Sequence, residues 1–391
     1  MANGFSAGAC ILIAQLFGSG KEEDMRRQAS SSRLVMMAMG VVATVAGILI
    51  SRFALEHILA TPASLIPMAD TYFKIYAAGL IFQFGYNIVA AILRGIGDSK
   101  ATLYFLLIAS VINVFLDMLF VYNLDMGVAG AAIATDIAQA VSCVVGIIYM
   151  MKKYPLLRWK PNEFTFERQL ATRTLKAGFP MALQQFIVSF GFVFIQRAVN
   201  SYGEAMTGSF TVAQKVETYM TLPASALMTT QGTYTGQNIG AGKLDRVNTG
   251  AKQTFLISEI ISVCILTVIF IFARPIVTAF GLGPEAVEYC TAHVRFVALC
   301  MPIFASYFPL LGLFQGANNA LFSTFVATGA LTVRVATTYL FQEIPGVGYH
   351  MIWWNTLFGW GFGCTAAWIH FLRGKWKTDV KAIFPDPAEK T

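Results

Sequence analysis

The chain has 391 residues, of which 56% are hydrophobic and only 13% are charged, with a formal net charge of +7 and a mean hydropathy of +0.61. Soluble globular domains carry about 25% charged residues, so this composition excludes an ordinary soluble protein and indicates a membrane protein. The positive charge does not indicate nucleic-acid binding, because most of the 28 Lys and Arg residues fall in alternate loops between apolar segments.

Eleven apolar segments follow one another along the chain, each near the length of about 20 residues that crosses a bilayer as a helix. A membrane β-barrel would instead show alternating segments of about ten residues. The pattern therefore predicts an all-α, polytopic membrane protein. The segments lie near residues 2–19, 34–53, 72–93, 102–122, 126–150, 174–199, 206–235, 254–273, 290–314, 321–341 and 346–372.

The basic loops predict the orientation of these helices. Cytoplasmic loops of membrane proteins carry an excess of Lys and Arg, so we expect the basic loops and the C-terminus in the cytoplasm, and the N-terminus outside. Basic residues cluster in 21–33, 94–100, 151–176, 243–252 and 373–390, whereas the loops near 54–71, 123–125, 200–205, 275–289 and 342–345 contain none.

Three short motifs each occur twice, in the same order and at nearly the same offset. They are QLFGSGK at 15–21 with QNIGAGK at 237–243, RGIGD at 94–98 with QGANN at 315–319, and GV at 127–128 with GV at 346–347. The repeat predicts two homologous, pseudo-symmetric helical bundles, with five membrane helices in the first and six in the second. Duplicated membrane domains of this kind are typical of transporters.

The same landmarks predict the domain boundaries. We expect an N-terminal lobe at residues 1–150, a cytoplasmic linker at 151–173, a C-terminal lobe at 174–372 and a cytoplasmic tail at 373–391. In the second half, far more residues lie between Thr174 and Gln237 than precede the matching Gln15 in the first half. The expectation is therefore that this sequence lacks a first membrane helix that its relatives have.

Ionisable side chains inside membrane helices cost at least about 2.5–3.5 kcal/mol and are functional candidates by default. Asn113 and Asp117 are four residues apart and so share one helix face. An amide and a carboxylate on one face are the beginning of a site for Na⁺ or for a proton. The pattern fits equally a pair that satisfies a neighbouring helix. At the repeat offset, Asn113 corresponds to Arg334 and Asp117 to Thr338.

The second half contributes further candidates for a substrate cavity. Gln214 and Glu217 lie one turn apart, where they would meet a cationic substrate or join a structural network with Lys215 or Arg197. Arg334 is predicted to be an interior charge held by carbonyl groups or by an acid. The sequence contains no HExxH motif, no suitably spaced catalytic acids and no Ser/His arrangement, so it does not indicate an enzyme.

Four segments, at 92–100, 126–132, 178–180 and 236–243, resemble the multidrug and toxic compound extrusion (MATE) family, in order and over essentially the whole chain. The resemblance implies two six-helix bundles that exchange a cation for a drug-like substrate. It also implies a cation site in the first lobe. The matching residues here are Asn87, Asn113, Asp117 and Thr135, whereas the aspartate that this site takes from the family's first helix has no counterpart.

Another branch of the family uses acids on its seventh and tenth helices. Here the polar candidates of the span 181–199 are Gln184 and Gln185, and the span 290–314 contains no acid. A second-lobe cation site of that type is therefore not expected, and Gln184 joins Gln214, Glu217 and Arg334 as a candidate for the substrate cavity.

These observations together predict a secondary active antiporter in the inner or plasma membrane, which exports amphipathic organic cations in exchange for Na⁺ or H⁺. Asp117 would bind the coupling ion, and no other cofactor or metal is expected. The predicted partners are the small-molecule substrate and the lipid bilayer, with no nucleic acid, and the chain is expected to be monomeric. The alternatives are a flippase for an anionic lipid-linked saccharide, with Arg197, Lys215, Arg295 and Arg334 in its cavity, and an inactive truncated fragment.

The predicted orientation can be tested with single cysteines introduced into a cysteine-free background. We expect an impermeant thiol reagent to label Lys243→Cys only from the cytoplasm, because residue 243 lies in a basic loop. Gly283→Cys should be labelled only from outside. Labelling of the two positions from the same side would contradict the predicted helix count.

Overall fold

The structure, a computed structural model, describes residues 2–58, 62–158 and 167–377. The prediction of an all-α membrane protein is confirmed, because these residues form eleven α-helices. The helices are α1 (Ala2–Gly18), α2 (Glu22–Phe53), α3 (Ile66–Gly95), α4 (Ser99–Asp117), α5 (Gly127–Lys153), α6 (Arg168–Asn200), α7 (Glu204–Gly240), α8 (Leu244–Thr278), α9 (Pro284–Gly316), α10 (Ala320–Phe341) and α11 (Met351–Leu372).

Eight of these helices are long and apolar enough to cross a membrane by length and composition alone. The other three, α1, α7 and α11, coincide with predicted spans but do not meet that criterion. Helix α1 has 17 residues, α7 contains Lys215, Glu217 and many Thr residues, and α11 is rich in Trp and Gly. The sequence-based count of eleven spans therefore included three helices that are short or partly polar.

The sequence repeat is also a repeat of backbone geometry. Each of the three motifs places a residue with positive φ at the same point of a turn in both halves of the chain. Glycine adopts this conformation without steric cost, and Asn tolerates it. The pairs are Gly20 and Gly242 (φ 69° and 71°), Gly97 and Asn318 (93° and 62°), and Gly127 and Gly346 (56° and 75°).

Equivalent helices make equivalent contacts in the two halves. Helix α3 packs against α1, α2 and α5, as α9 packs against α7, α8 and α11, and α4 packs on α5 as α10 packs on α11. The chain divides into two compact units, an N-terminal unit Ala2–Phe179 and a C-terminal unit that begins at Pro180. The division falls within α6, after the start of the second lobe expected at residue 174. Residues 159–166 of the predicted linker and 378–391 of the predicted tail lie outside the described residues.

One side chain, Asp98, holds the start of α4 and the end of α5 together in the N-terminal unit. Its Oδ1 accepts a hydrogen bond from the backbone N–H of Ala101 and so caps α4. Its Oδ2 accepts hydrogen bonds from Tyr149, Lys153 and Tyr154 at 2.8–2.9 Å. Burial opposes ionisation, but these hydrogen bonds outweigh it and lower the pKa of Asp98 to about 2. The carboxylate is therefore charged at neutral pH.

The closest helix crossing in the C-terminal unit joins α7 to α9. A Cβ atom built on Gly312 would lie 1.9 Å from the backbone oxygen of Met228, and one on Gly316 would lie 2.4 Å from the backbone oxygen of Gly232. Small residues let helix backbones approach in this way, and in a bilayer the resulting dispersion contacts are a main source of helix association. Helix α9 is consequently the central helix of this unit and the most completely buried.

This crossing predicts opposite effects for two Gly→Ala substitutions. Gly312→Ala should destabilise the protein by about 1–3 kcal/mol, because the methyl group meets backbone that cannot move aside. Gly361→Ala in α11 has no atom within 4 Å of the new Cβ, and it should be neutral or stabilising by up to about 1 kcal/mol. Thermal unfolding of the purified variants measures both effects. A Gly312→Ala protein as stable as the wild type would contradict the close packing.

Candidate functional site

In the N-terminal unit, the structure joins two of the four predicted cation ligands. The side-chain amide of Asn113 on α4 donates a hydrogen bond to the hydroxyl of Thr135 on α5, at 3.4 Å. That hydroxyl in turn donates to the backbone oxygen of Ala131, one turn earlier on α5. The Asn113 side-chain oxygen therefore has no role in this contact, and the two residues form a polar link between α4 and α5.

Asp117, the third predicted ligand, is the last residue of α4, one turn beyond Asn113. Its Oδ1 atom is buried and accepts no hydrogen bond from any described residue. A buried carboxylate oxygen without a partner costs free energy, and such groups are rare in folded proteins unless an ion, a water or a proton satisfies them. This oxygen is the strongest indication of a cation or proton site in the N-terminal unit.

Asn87, the fourth predicted ligand, is not joined to the others. Its amide nitrogen donates to the backbone oxygen of Gln83 on its own helix, at 2.8 Å, and it makes no hydrogen bond to Asn113, Asp117 or Thr135 within the described residues.

Asp136, next to Thr135, packs against the α3 backbone. A Cβ atom on Gly79 would lie 1.9 Å from the Asp136 Oδ1 atom. The absence of a side chain at residue 79 therefore makes room for this second carboxylate.

The C-terminal unit contains a cavity of about 340 Å³. Three of the four predicted substrate-cavity residues, Gln184, Glu217 and Arg334, line it. Gln214 is not among the lining residues, although it lies one turn from Glu217. The rest of the lining is mainly aromatic and aliphatic, with three hydroxyl groups and one side-chain amide: Gln185, Val188, Phe192, Thr221, Ser225, Phe304, Tyr307, Phe308, Ala327, Ala330, Leu331 and Trp360.

Glu217 on α7 and Arg334 on α10 form an ion pair in the wall of this cavity. The Nη1 atom of Arg334 lies 3.6 Å from Oε1 of Glu217, and the two side chains are only 6% and 13% exposed, respectively. Nε of Arg334 donates to the side-chain oxygen of Asn355 on α11 at 2.8 Å, and the guanidinium lies 5.3 Å from the ring centroid of Phe192. One guanidinium on α10 thus contacts three other helices, α6, α7 and α11.

Gly359 on α11 provides the space for the Arg334 side chain. A Cβ atom there would lie 2.3 Å from Cγ of Arg334 and 2.6 Å from the backbone oxygen of Ala330. The guanidinium position is therefore set by the backbone of α11 as well as by Asn355.

Gln184 adds an unsatisfied group to the same cavity, because its buried Oε1 has no hydrogen-bond partner among the described residues.

The charged partner of Glu217 is neither of the two residues, Lys215 and Arg197, that the sequence suggested. Lys215 and Arg197 are exposed, and the acid pairs instead with Arg334, which is the acid-held interior charge that the sequence suggested. Sequence analysis missed Asn355 and the aromatic lining. The repeat offers one usable signal for Asn355, because the offset from Gly127 to Gly346 maps Asp136 onto it.

Two further ionisable residues of the C-terminal unit, Arg295 and Glu259, lie outside the cavity. Arg295 lies over the ring of Phe270, with its guanidinium carbon 5.5 Å from the centroid, and Glu259 accepts a long hydrogen bond from Ser262. Neither residue lines the cavity. Among the described residues, no group of three or more His, Cys, Asp or Glu side chains is arranged to hold a metal ion.

Comparison with known proteins decides the family. The family model described as MatE matches residues 1–119 and 180–340, which is most of the chain and includes both units. The chain belongs to the MatE family. MatE proteins are transporters rather than enzymes, so this chain is a multi-pass membrane transporter.

Similar curated proteins are named as drug transporters. The chain is 29% identical over 381 residues to the "Probable multidrug resistance protein YpnP" of Bacillus subtilis, covering 96% of this chain and 83% of that protein. It is 24% identical over 390 residues to the "Probable multidrug resistance protein NorM" of Thermotoga maritima, covering 95% of this chain and 81% of that protein.

Solved structures agree in fold. The chain superposes with a TM-score of 0.90, at 21% identity, on an outward-facing multidrug resistance MATE family transporter of the MOP superfamily, covering 99% of this chain and 85% of that one. It matches a MOP superfamily transporter from Pyrococcus furiosus with the same TM-score and identity, covering 98% of this chain and 85% of that one.

The ion pair predicts non-additive effects on stability. Glu217→Gln and Arg334→Gln should each lower the free energy of unfolding by about 3–5 kcal/mol, because each leaves an unpaired charge in the protein interior. The double variant should lose much less than the sum of the two. Thermal unfolding of the four proteins completes the double-mutant cycle. Additive losses would mean that the two charges do not interact.

Proposed function

We propose that this transporter is a secondary active antiporter of the plasma membrane, which exports amphipathic organic cations in exchange for Na⁺ or H⁺. The single observation that carries the ion-coupled part is the buried oxygen of Asp117, which has no partner among the described residues and follows Asn113 on one helix face. The relatives named as multidrug resistance proteins support the substrate class.

Asp117 would be the residue that changes charge. A cation or a proton bound there satisfies the unpaired oxygen, and Asn113 and Thr135 would order the site by linking α4 to α5. Asn87 would take part only if its side chain turned away from the carbonyl group of Gln83, because its amide nitrogen is occupied there. We therefore assign Asn87 a weaker contribution than the other three residues.

The driving free energy would come from the ion gradient. Each charge that crosses the membrane contributes about 2.3 kcal/mol per 100 mV of potential, and each tenfold concentration ratio contributes about 1.4 kcal/mol. A one-for-one exchange of monovalent cations moves no net charge, so only the concentration ratio would drive it. Exchange of two ions for one substrate would use the potential as well.

The cavity of the C-terminal unit supports a drug-like substrate better than an anionic lipid-linked saccharide. A flippase for such a lipid needs several basic side chains that converge on its cavity. Of the four basic residues considered for this role, Arg197 and Lys215 are exposed and Arg295 lies outside the lining. Arg334 is present, but an acid neutralises it. No observation favours the flippase, and we do not propose it.

The proposal is tested by uptake of a fluorescent organic cation into everted membrane vesicles, whose lumen corresponds to the outside of the cell, under Na⁺ and proton gradients imposed separately. We expect one of the two gradients to drive transport by the wild-type chain. Asp117→Asn should abolish the coupled transport, because the amide keeps the shape of the carboxylate but cannot change charge. Asn113→Ala should weaken the dependence on the ion without abolishing transport.

Asp245→Asn is the matched control, because this acid is exposed in the first turn of α8. It should leave transport and ion dependence unchanged. Transport by Asp117→Asn with the wild-type dependence on the driving ion would contradict the assignment. The coupling ion would then have to bind elsewhere, and Glu217 would be the next residue to test.

A further inference from the structure

The cavity of the C-terminal unit has a wall with no net charge. Glu217 and Arg334 contribute one negative and one positive charge side by side, and both side chains are largely buried. No other Asp, Glu, Lys or Arg lines the cavity. In surroundings of low dielectric, an added charge is tolerated only if it is compensated nearby. A ligand that brings one positive and one negative charge therefore leaves no charge in the cavity uncompensated.

The ion pair is held loosely, but its arginine is held firmly. The distance of 3.6 Å between Nη1 and Oε1 exceeds that of a charge-assisted hydrogen bond, which is about 2.7–2.9 Å. No described residue donates a hydrogen bond to the Glu217 carboxylate. Arg334, in contrast, is fixed by Asn355, by the ring of Phe192 and by the space at Gly359. The carboxylate can therefore accept a new donor while the guanidinium stays in place.

The rest of the lining suits a flat aromatic group. Rings from Phe192, Phe304, Tyr307, Phe308 and Trp360 face the cavity. Its volume of about 340 Å³ lies in the range of small-molecule sites, about 300–1,000 Å³, which suits one small aromatic molecule rather than a large lipid.

We infer that this cavity binds aromatic zwitterions whose ammonium and carboxylate groups are bonded to one carbon atom, as in aromatic α-amino acids. The ammonium group contacts Glu217, the carboxylate contacts Arg334 and the ring packs on the aromatic lining. A monocation would have to share the Glu217 carboxylate with Arg334, and a monoanion would have to share the Arg334 guanidinium with Glu217, so each should bind more weakly than the zwitterion. The two charges of the ligand must be close together, because the two protein charges are 3.6 Å apart.

This inference rests on the proposed function only for its physiological use. It names the exported compounds that should bind most tightly, which are those that carry an acid group as well as an amine. Binding itself requires no gradient and no movement of the protein. It is therefore measured on the purified full-length chain, and failure of ion-coupled efflux would leave the binding result unaffected.

The first test compares three ligands with one aromatic group. Tryptophan is the zwitterion, tryptamine lacks its carboxylate and indole-3-propionate lacks its amine. We expect radiolabelled tryptophan to bind the wild-type chain at least about tenfold more tightly than either of the others. Equal or tighter binding of tryptamine would overturn the inference.

The second test removes one protein charge at a time and measures whether the preferred ligand changes. Arg334→Gln should prefer tryptamine, because only the carboxylate of Glu217 remains. Glu217→Gln should prefer indole-3-propionate, because only the guanidinium remains. Arg334→Lys keeps the charge and should keep the preference for tryptophan. Asp245→Asn, at an exposed acid in the first turn of α8, should bind all three ligands as the wild type does.

The double variant Glu217→Gln/Arg334→Gln keeps this test decisive if a single variant fails to fold, because it buries no unpaired charge. It should bind the three ligands without charge preference. A double variant that still selects tryptophan would overturn the inference.

The spacing of the charges is tested with two isomers. Phenylalanine and 4-(2-aminoethyl)benzoate have the same atoms and the same two charges, but the second carries them at opposite ends of its ring. We expect phenylalanine to compete at least about tenfold better for the tryptophan site. Equal competition would show that the cavity does not distinguish ligands by the distance between their two charges, and it would overturn this part of the inference.

Discussion

The constraint on which the rest of this structure depends is the absence of water inside a bilayer. A backbone N–H or C=O left unpaired in hydrocarbon costs several kcal/mol, so the chain crosses as helices that satisfy their own backbone. The same constraint acts on hydroxyl groups. Thr221, Ser225, Thr328 and Thr338 each donate to a carbonyl group one turn earlier on their own helices. Polar residues can therefore be numerous in α7 and α10 without forming a water-filled channel.

The few side chains that the helices cannot satisfy locally are consequently the informative ones. In the N-terminal unit, the oxygen of Asp117 stays without a partner beside the contact between Asn113 and Thr135. In the C-terminal unit, the repeat places Arg334 where the first half has Asn113, and Arg334 finds both Asn355 and Glu217. Duplication thus supplied two copies of one helix arrangement with different chemistry. The first copy has an acid whose Oδ1 atom has no hydrogen-bond partner among the described residues, and the second has an acid that pairs with an arginine.

Under the proposed function, this difference separates the two tasks of an ion-coupled transporter. A coupling ion needs a small site where binding changes the local charge, and the Asp117 carboxylate would meet that need. A drug-like molecule needs apolar area and a few polar groups that fix its orientation. The cavity with Phe304, Tyr307 and Trp360 beside a neutralised ion pair meets the second need. The structure assigns these chemical properties to different units of the chain.

Sequence alone determined the membrane class, the helix positions, the duplication and the family resemblance, because hydrophobic length and glycine turns are local properties of the chain. Gly20, Gly97 and Gly127 adopt positive φ in turns, a conformation that glycine reaches whatever its tertiary surroundings. Sequence also selected Glu217 and Arg334 as costly interior charges and placed Asn113 and Asp117 on one face. Only the tertiary structure decided that Glu217 pairs with Arg334 rather than with Lys215, and that Asn87 bonds to its own helix. Such pairings depend on which faces of distant helices meet, and that is fixed by close packing, as at Gly359 and Gly312, which no local pattern encodes.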